Sequence, residues 1–224
     1  MRLLKRKLEH FDVPVQDLLL RVTGPDYLYE EVRAAGMLFW EQIQSYAIRN
    51  PAFRTSKRAL EVPPEAPQII REMAETAAAA GVGPMFTFQG ALTEYVGRKL
   101  CEAVNEVTVS CGEDHFVRPR RRARLSVHPG HGLAIVVKPE LGPQGIYMRL
   151  VVGDRPDEIR EGLVLVGRTC LVADSAAAAA GAIVRKPNGF ALALSYLKRL
   201  GGLHGALLIE GDRIGVTGGL ELAA

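Results

Sequence analysis

The hydrophobic pattern of the chain changes its period near residue 105, and this change limits the folds that the sequence can adopt. Before it, apolar residues recur at helical spacing, most clearly over residues 24–50. After it, residues 105–118, 124–137 and 145–152 alternate apolar and polar side chains at period two, which is typical of strands. These strands are expected to pair as antiparallel neighbours. We therefore predict an α+β fold, a mostly antiparallel sheet with helices packed on one face.

Turn and stop signals divide the chain into individual elements. Asn50-Pro51 ends the first helix because the residue before proline avoids helical angles, and Gly81 ends the second. Residues 51–67 carry four prolines and are expected to form an irregular connection. The predicted strands are 3–8, 15–23, the three alternating segments above and 161–173, with a turn at 10–14 and a C-terminal hairpin turning at 210–213. The predicted helices are 24–50, 66–80, 89–104, 174–185 and 189–202.

The length of 224 residues fits one sizeable domain or two small ones, and the α+β organisation above predicts a single domain over residues 1–224. Hydrophobic residues make up 48% of the chain, which is enough for a large core, and the net charge of +3 is too small to argue for nucleic acid. The three cysteines have no metal-ligand spacing and are expected to be reduced thiols. The N-terminus lacks the apolar core of a signal peptide, and the longest apolar stretch, 176–184, is shorter than a membrane span of about 20 residues. We expect a cytoplasmic protein without membrane segments.

A glycine-rich bend at residues 80–90 is the first candidate binding segment. Gly83 leaves backbone amides accessible, Pro84 fixes the turn before Met85, and the helix N-terminus that follows is suited to an anion such as phosphate. Gly90 permits the close approach of a ligand or of another backbone. From spacing alone, a plain connection between two packed helices explains these residues as well as a binding loop does.

A single carboxylate in "LVADSAAAAAGAIV" is the second candidate. Asp174 precedes five alanines with only Ser175 between, and either caps the alanine-rich helix or binds a divalent cation such as magnesium.

Three further clusters have weaker signals. The arginine run from Arg118 to Arg124 is suited to a diphosphate or RNA, but it lacks aromatic residues for base stacking and more often forms a solvated hairpin tip. His128 and His131 flank a turn without a nearby third metal ligand. Cys111 and His115 would act as nucleophile and base only if they met in space.

Several segments, in the same order along the chain, resemble a branch of uncharacterised prokaryotic proteins related to the flavin transferase ApbE. They are "NPAFRTS", "PPEAPQIIREMAETAAAAGVGPM", "GVGPMFTFQGALTEYVGRKL", "LVADSAAAAAGAIV" and "LHGALLIEGDRIGVTGGLEL". The resemblance covers nearly the whole chain and implies a T-fold-like architecture.

The resemblance also implies a ligand and a site. ApbE proteins bind FAD and magnesium and transfer FMN to a threonine of an acceptor protein, and Asp174 stands where the family's metal-binding aspartate lies. The implied cofactor-binding residues are Gly83, Pro84, Met85, Gly90 and Glu94.

Some positions depart from the transferase pattern. Ala178 stands in place of a threonine metal ligand, and Glu94 stands in place of a lysine. One interpretation is a protein that binds FAD, FMN or another nucleotide-like ligand with Mg²⁺, and that, if active, is a magnesium-dependent flavin or nucleotidyl-type transferase. The departures argue against FMN transfer itself. The alternative is a non-catalytic, homo-oligomeric scaffold or assembly protein that kept the fold.

Overall fold

A computed structural model describes residues 8–128, 133–153 and 159–223 of the chain. The helices in these residues are α1 Tyr29–Arg49, α2 Pro51–Thr55, α3 Gln68–Ala80, α4 Phe88–Leu100, α5 Cys170–Val184 and α6 Gly189–Arg199. The strands are β1 Glu9–Val15, β2 Leu18–Gly24, β3 Val107–Cys111, β4 Asp114–Arg118, β5 Ala123–His128, β6 Leu133–Val137, β7 Gln144–Val152, β8 Ile159–Gly167, β9 Leu203–Glu210, β10 Arg213–Gly218 and β11 Leu222–Ala223.

Eight of these strands form one sheet in the order β1-β2-β3-β4-β7-β8-β9-β10. Every neighbouring pair is antiparallel. The chain therefore crosses the sheet almost in sequence order, and of the described strands only β5, β6 and the last strand β11 lie outside it. The predicted α+β fold with a mostly antiparallel sheet is confirmed.

The helices cover one face of this sheet. In β8, Leu165 packs against the alanines of α5, whereas Val164 and Val166 point to the opposite face. The alanines of α5 allow the helix to lie close to the sheet, because a methyl group adds little thickness between the two backbones. On the same face, α1 and α4 pack on β1, β2 and β3 through a separate apolar cluster.

A second, three-stranded sheet covers part of the opposite face, and this layer was not predicted. Its strand order is β11-β6-β5. Val127, Ile135 and Val137 of this sheet share an apolar cluster with residues of β7, β8 and β9. The alternating pattern shows which side chains are buried, but it does not show which element buries them.

Two glycines bring the helices unusually close to the strands. A Cβ atom added to Gly97 of α4 would lie 2.2 Å from the ring of Phe116 in β4. One added to Gly145 of β7 would lie 1.9 Å from the backbone nitrogen of Cys170 in α5. Any side chain at either position would force the two layers apart.

The N-terminal region differs from its prediction. Residues 10–14, expected as a turn, belong to β1, and the turn lies at Gln16-Asp17, where Gln16 has a φ of 55°. Pro14 is tolerated because β1 is at the edge of the sheet, where a missing N–H breaks no ladder. The strand predicted at 3–8 falls almost wholly outside the described residues.

Three other segments also differ from expectation. The connection at 51–67 contains the short helix α2, with Pro51 in its first turn. The segments 105–118 and 124–137 each hold two antiparallel strands, not one strand. Across the three described ranges, no helix combines the length and the apolar character that crossing a membrane requires.

Candidate ligand and cation site

The centre of the candidate site is the contact between helices α4 and α5. The backbone N–H of Gly90 in α4 donates a 3.0 Å hydrogen bond to Oδ2 of Asp174 in α5. In return, Oε2 of Glu94 in α4 accepts a 2.7 Å hydrogen bond from the backbone N–H of Cys170 in α5. The fold thus brings together Gly90, Glu94 and Asp174, three residues that the sequence had marked as candidates.

Asp174 does not cap its helix, so that interpretation is wrong. Helix α5 begins at Cys170, and the N-cap is Thr169, whose hydroxyl oxygen accepts a 3.2 Å hydrogen bond from the N–H of Val172. Asp174 is therefore in the second turn. The apolar residues before it were predicted as part of a strand, because a short, fully buried apolar run has no periodicity that separates strand from helix.

The hairpin between β3 and β4 adds a second carboxylate to this region. Gly112 has a φ of 58° in the turn, and a Cβ added to it would lie 3.0 Å from Oε1 of Gln89 at the start of α4. Asp114, the first residue of β4, pairs across the strands with Tyr147 of β7. Asp114 is 1% exposed, and within the described ranges its Oδ1 atom has no hydrogen-bond partner.

The carboxyl groups of this region affect each other. The pKa of Asp114 is raised well above its usual range, first by burial and then by the charges of Asp174 and Glu113. Burial raises the pKa of Asp174 to about 7, although the hydrogen bond from Gly90 favours the charged form. Burial also raises the pKa of Tyr147 to about 12, with contributions from Glu113 and Asp174. The region is rich in acidic groups and poorly solvated.

A hard divalent cation suits this set of donors. Among the residues that the structure describes, neither Asp114 nor Asp174 forms an ion pair with lysine or arginine, and no group of three or more His, Cys, Asp or Glu side chains could hold a metal. Two carboxylates alone resemble a magnesium site in which ligand phosphates supply the remaining oxygens. The unpartnered Oδ1 of Asp114 is the structural observation that fits such an ion.

Glu94 is fully engaged by the protein. Glu94 is 3% exposed; its Oε2 accepts the hydrogen bond from Cys170, and its Oε1 accepts a 2.8 Å hydrogen bond from Nε of Arg98. Arg98 also donates a 2.8 Å hydrogen bond to Glu72 of α3, so this network joins three helices. These contacts link Glu94 to the helix packing; its predicted role in holding the ligand stays a prediction.

The bend before α4 packs against the same helix α5. Met85 lies in an apolar cluster with Leu171 of α5. Gly83 and Pro84 are buried, and a Cβ added to Gly83 would lie 1.9 Å from the carbonyl oxygen of Ser56. Gly83 is therefore needed for close contact with the chain at 56–57, and its role in ligand binding stays a prediction.

The Cys111 and His115 side chains do not form a catalytic pair. Cys111 lies on the helix-covered face of the sheet, and burial raises the pKa of its thiol to about 12. His115, next to the turn on β4, points to the other face, where its Nδ1 lies 2.7 Å from Oγ of Ser110. The other histidine candidate is not described, because His131 and the His128 side chain lie outside the described residues.

The arginine run divides into structural and exposed members. Arg118 donates hydrogen bonds of 2.9 and 3.3 Å to the carbonyl oxygens of Cys101 and Val104, just after α4. Arg122 forms an ion pair of 3.1 Å with Glu221 next to β11. Arg120 and Arg121 are exposed. The run therefore does not present five free cations on one surface.

The fold described above defines the class of protein: the chain is an ApbE-like α+β protein. The apo crystal structure of the flavinyl transferase ApbE from Pseudomonas stutzeri matches it with a TM-score of 0.59 and 13% identity, over 97% of this chain and 96% of that chain. At this level of identity the likeness shows the fold alone.

Sequence comparison gives the particular family. The profile described as "AbpE bacteria" matches residues 2–193, and the chain belongs to this family. A UPF0280 protein of Methanococcus maripaludis is 24% identical over 224 residues, which is 94% of this chain and 90% of the relative. A second UPF0280 protein, from another strain of that species, is 33% identical over 94 residues, which is 42% of this chain and 38% of the relative. The expected ApbE-like family is confirmed.

Proposed function

We propose that the protein binds a flavin or another nucleotide-like ligand together with Mg²⁺ where α4, α5 and the β3–β4 hairpin meet. Asp174 and Asp114 would hold the cation, and the phosphate oxygens of the ligand would complete its coordination. The ligand class is taken from the named activity of the matched ApbE structure, a flavinyl transferase.

The observation that carries the proposal is the buried Oδ1 of Asp114, which has no hydrogen-bond partner in the described residues. Asp114 is also close enough to Asp174 for the charge of Asp174 to raise its pKa. A buried carboxylate oxygen without a partner is costly in free energy, and natural proteins tolerate few of them. A bound cation would remove this cost and would neutralise the negative charge that otherwise repels phosphate. Binding of the ligand should therefore depend on the cation.

The proposal is limited to binding. A bound Mg²⁺ would supply electrostatic stabilisation of a pyrophosphate group. The chain's own contribution is to hold the carboxylate of Asp174 through the N–H of Gly90 and to keep Asp114 away from water. Transfer of FMN is not proposed, because Ala178, one turn after Asp174, has a methyl group that cannot coordinate a metal.

Fluorescence polarisation of FAD, titrated with purified protein with and without Mg²⁺, tests the proposal. We expect saturable binding that requires Mg²⁺ and that weakens by at least about tenfold in Asp174→Asn and in Asp114→Asn. Asp212→Asn is the matched control, because Asp212 is exposed in the β9–β10 turn and lies outside the site.

Two results would contradict the proposal. One is the absence of any polarisation change at high micromolar protein, which would favour the scaffold alternative. The other is binding that is equally tight without Mg²⁺ and in all three variants, which would place the ligand elsewhere on the protein.

A further inference from the structure

Helices α4 and α5 exchange two equivalent hydrogen bonds. In each helix, a backbone N–H near the N-terminus donates to a carboxylate of the other helix: Gly90 to Asp174, and Cys170 to Glu94. In each helix, the acceptor carboxylate follows the donor by four residues, which is about one turn. The contact is therefore reciprocal, and each helix orients the acidic side chain of the other.

The two donors and two acceptors of this contact have few other hydrogen-bond partners available. Gly90 is in the first turn of α4 and Cys170 is the first residue of α5, and N–H groups at these positions have no carbonyl partner within their own helix. Glu94 is 3% exposed, so a carboxylate that lost its partners here would stay poorly solvated. Breaking the hydrogen bond between Cys170 and Glu94 would leave both a buried donor and a buried acceptor unsatisfied.

The helices meet closely only because residue 90 is a glycine. A Cβ at this position would lie 2.8 Å from both the Cβ of Asp174 and the carbonyl oxygen of Cys170. The spacing of the helices and the orientation of Asp174 are thus set by the same contact. With Oδ2 held by Gly90, Oδ1 of Asp174 makes no hydrogen bond to the described residues and is the oxygen left for a ligand.

We infer that Glu94 is a positioning residue for Asp174: by binding the N–H of Cys170, it fixes α5 against α4 so that Asp174 meets the N–H of Gly90. The consequence for cation affinity rests on the proposed function, whereas the consequence for the Gly90 hydrogen bond does not. The action of Glu94 depends on its reach to Cys170 and not on its negative charge.

Reach and charge can be separated with two substitutions. Glu94→Asp keeps the charge but shortens the side chain by one methylene, so that the carboxylate withdraws from Cys170. Glu94→Gln keeps the length and retains a carbonyl oxygen as acceptor. Glu72→Asp is the matched control, because it shortens the other carboxylate bonded to Arg98 without touching α5.

Two measurements would be made on each variant. The first is hydrogen exchange of the Gly90 amide by NMR without any divalent cation; the second is affinity for Mn²⁺, a paramagnetic substitute for Mg²⁺, from the free-ion signal in electron paramagnetic resonance. In Glu94→Asp we expect Gly90 exchange at least about tenfold faster and Mn²⁺ affinity at least about tenfold lower. Glu94→Gln and Glu72→Asp should stay within about threefold of wild type in both measurements.

The inference is overturned if Glu94→Asp leaves Gly90 exchange within twofold of the wild-type rate. It is also overturned if Glu94→Gln alone loses Mn²⁺ affinity, because Glu94 would then act through its charge. If the wild-type protein takes up no Mn²⁺ either alone or with FAD, the proposed cation site fails, while the exchange of Gly90 still decides whether Glu94 positions Asp174.

Discussion

At the scale of single residues, the cost of a buried carboxylate in this site depends on pH. The pKa of Asp174 is raised from 3.8 to about 7, mainly by burial. The folded protein therefore binds this proton more tightly than the unfolded chain does. The stabilisation from the protonated carboxyl is fully present below about pH 4 and is lost as the pH rises through about 7.

Asp174→Asn should accordingly become more favourable for stability as the pH rises. Asparagine keeps an oxygen that can accept the N–H of Gly90, but it has no charge to bury. We expect the melting temperature of the variant relative to wild type to increase by at least about 2 °C between about pH 4 and pH 8. Thermal unfolding followed by circular dichroism across this range, without divalent cations, measures the difference.

Asp212→Asn serves as the control here as well, because Asp212 is exposed in the β9–β10 turn and lies outside the site. Added Mg²⁺ should reverse the trend by stabilising only the wild-type protein. A melting-temperature difference for Asp174→Asn that is constant with pH would show that this carboxyl titrates alike in the folded and unfolded chains.

The sequence marked Asp174, Gly90 and Glu94, yet it did not show how they are connected. A glycine followed by a helix allows close approach by a ligand or a backbone, and only the crossing of α4 and α5 shows that the partner is Asp174 itself. Asp114 lies in the same segment as Cys111 and His115 and was not among the site residues predicted from the sequence. Its importance comes from burial against a helix that is distant in sequence, which local pattern cannot reveal.

At the scale of elements, helix α4 is held at both ends by side chains from other parts of the chain. Asp174 accepts a hydrogen bond from the N–H of Gly90 in the first turn of α4. Arg118 of β4 donates hydrogen bonds to the carbonyl oxygens of Cys101 and Val104, just beyond the last turn of α4. The carbonyl groups at a helix C-terminus lack partners within the helix and interact favourably with a cation. The first arginine of the run is thus part of the fold.

Replacing Arg118 should therefore destabilise the protein, whereas replacing its exposed neighbours should not. We expect Arg118→Met to lower the free energy of unfolding by about 1–2 kcal/mol, because charged hydrogen bonds to two carbonyl groups are lost. Arg120→Met and Arg121→Met should each change it by less than about 0.5 kcal/mol. Urea denaturation of the three variants provides the comparison.

Equal effects of the three substitutions would show that Arg118 contributes only to surface charge. The sequence did not separate these arginines, because all five have the same side chain within seven residues. Their roles diverge because Arg118 still belongs to β4 and lies beside α4, while Arg120 and Arg121 follow the end of the strand.

Long, periodic elements were predictable, and buried apolar runs were not. Helices α1 and α3 fall close to their expected bounds because each has an amphipathic pattern and a clear stop, Asn50-Pro51 or Gly81. Gly81 adopts a φ of 75°, the left-handed conformation that favours glycine. The start of α5 was misplaced because Cys170 to Ala173 are all buried and give no periodic signal.

At the scale of the whole molecule, one continuous sheet supports both halves of the chain. Strands β1 to β4 pack against α1 and α4, while β7 to β9 pack against α5 on one face and the small sheet on the other. Helix α5 contacts both halves, since Cys170 belongs to the first cluster and Ala176 to the cluster beside β8 and β9. A sheet and a helix shared by both halves are what a single domain requires, and the prediction of a single domain can be tested by unfolding.

We expect the protein to unfold in one cooperative transition. Trp40, the only tryptophan, lies in α1 beside the first cluster and reports on the N-terminal half. A variant with Trp40→Phe and Val216→Trp would move this probe to β10, where residue 216 is 47% exposed and a larger side chain can be accommodated. Because the sheet and α5 join the two halves, neither half can lose its packing without exposing the apolar surface of the other.

Urea denaturation would be followed by tryptophan fluorescence and by far-ultraviolet circular dichroism in both proteins. Within each protein, the two probes should give the same midpoint and the same slope, as two-state behaviour requires. If the fluorescence of Trp40 and the circular dichroism of the wild-type protein changed at separate urea concentrations, the two halves would be independent units. The hydrogen bonds between α4 and α5 would then join two domains that fold separately, and Asp174 and Gly90 would face each other across their boundary.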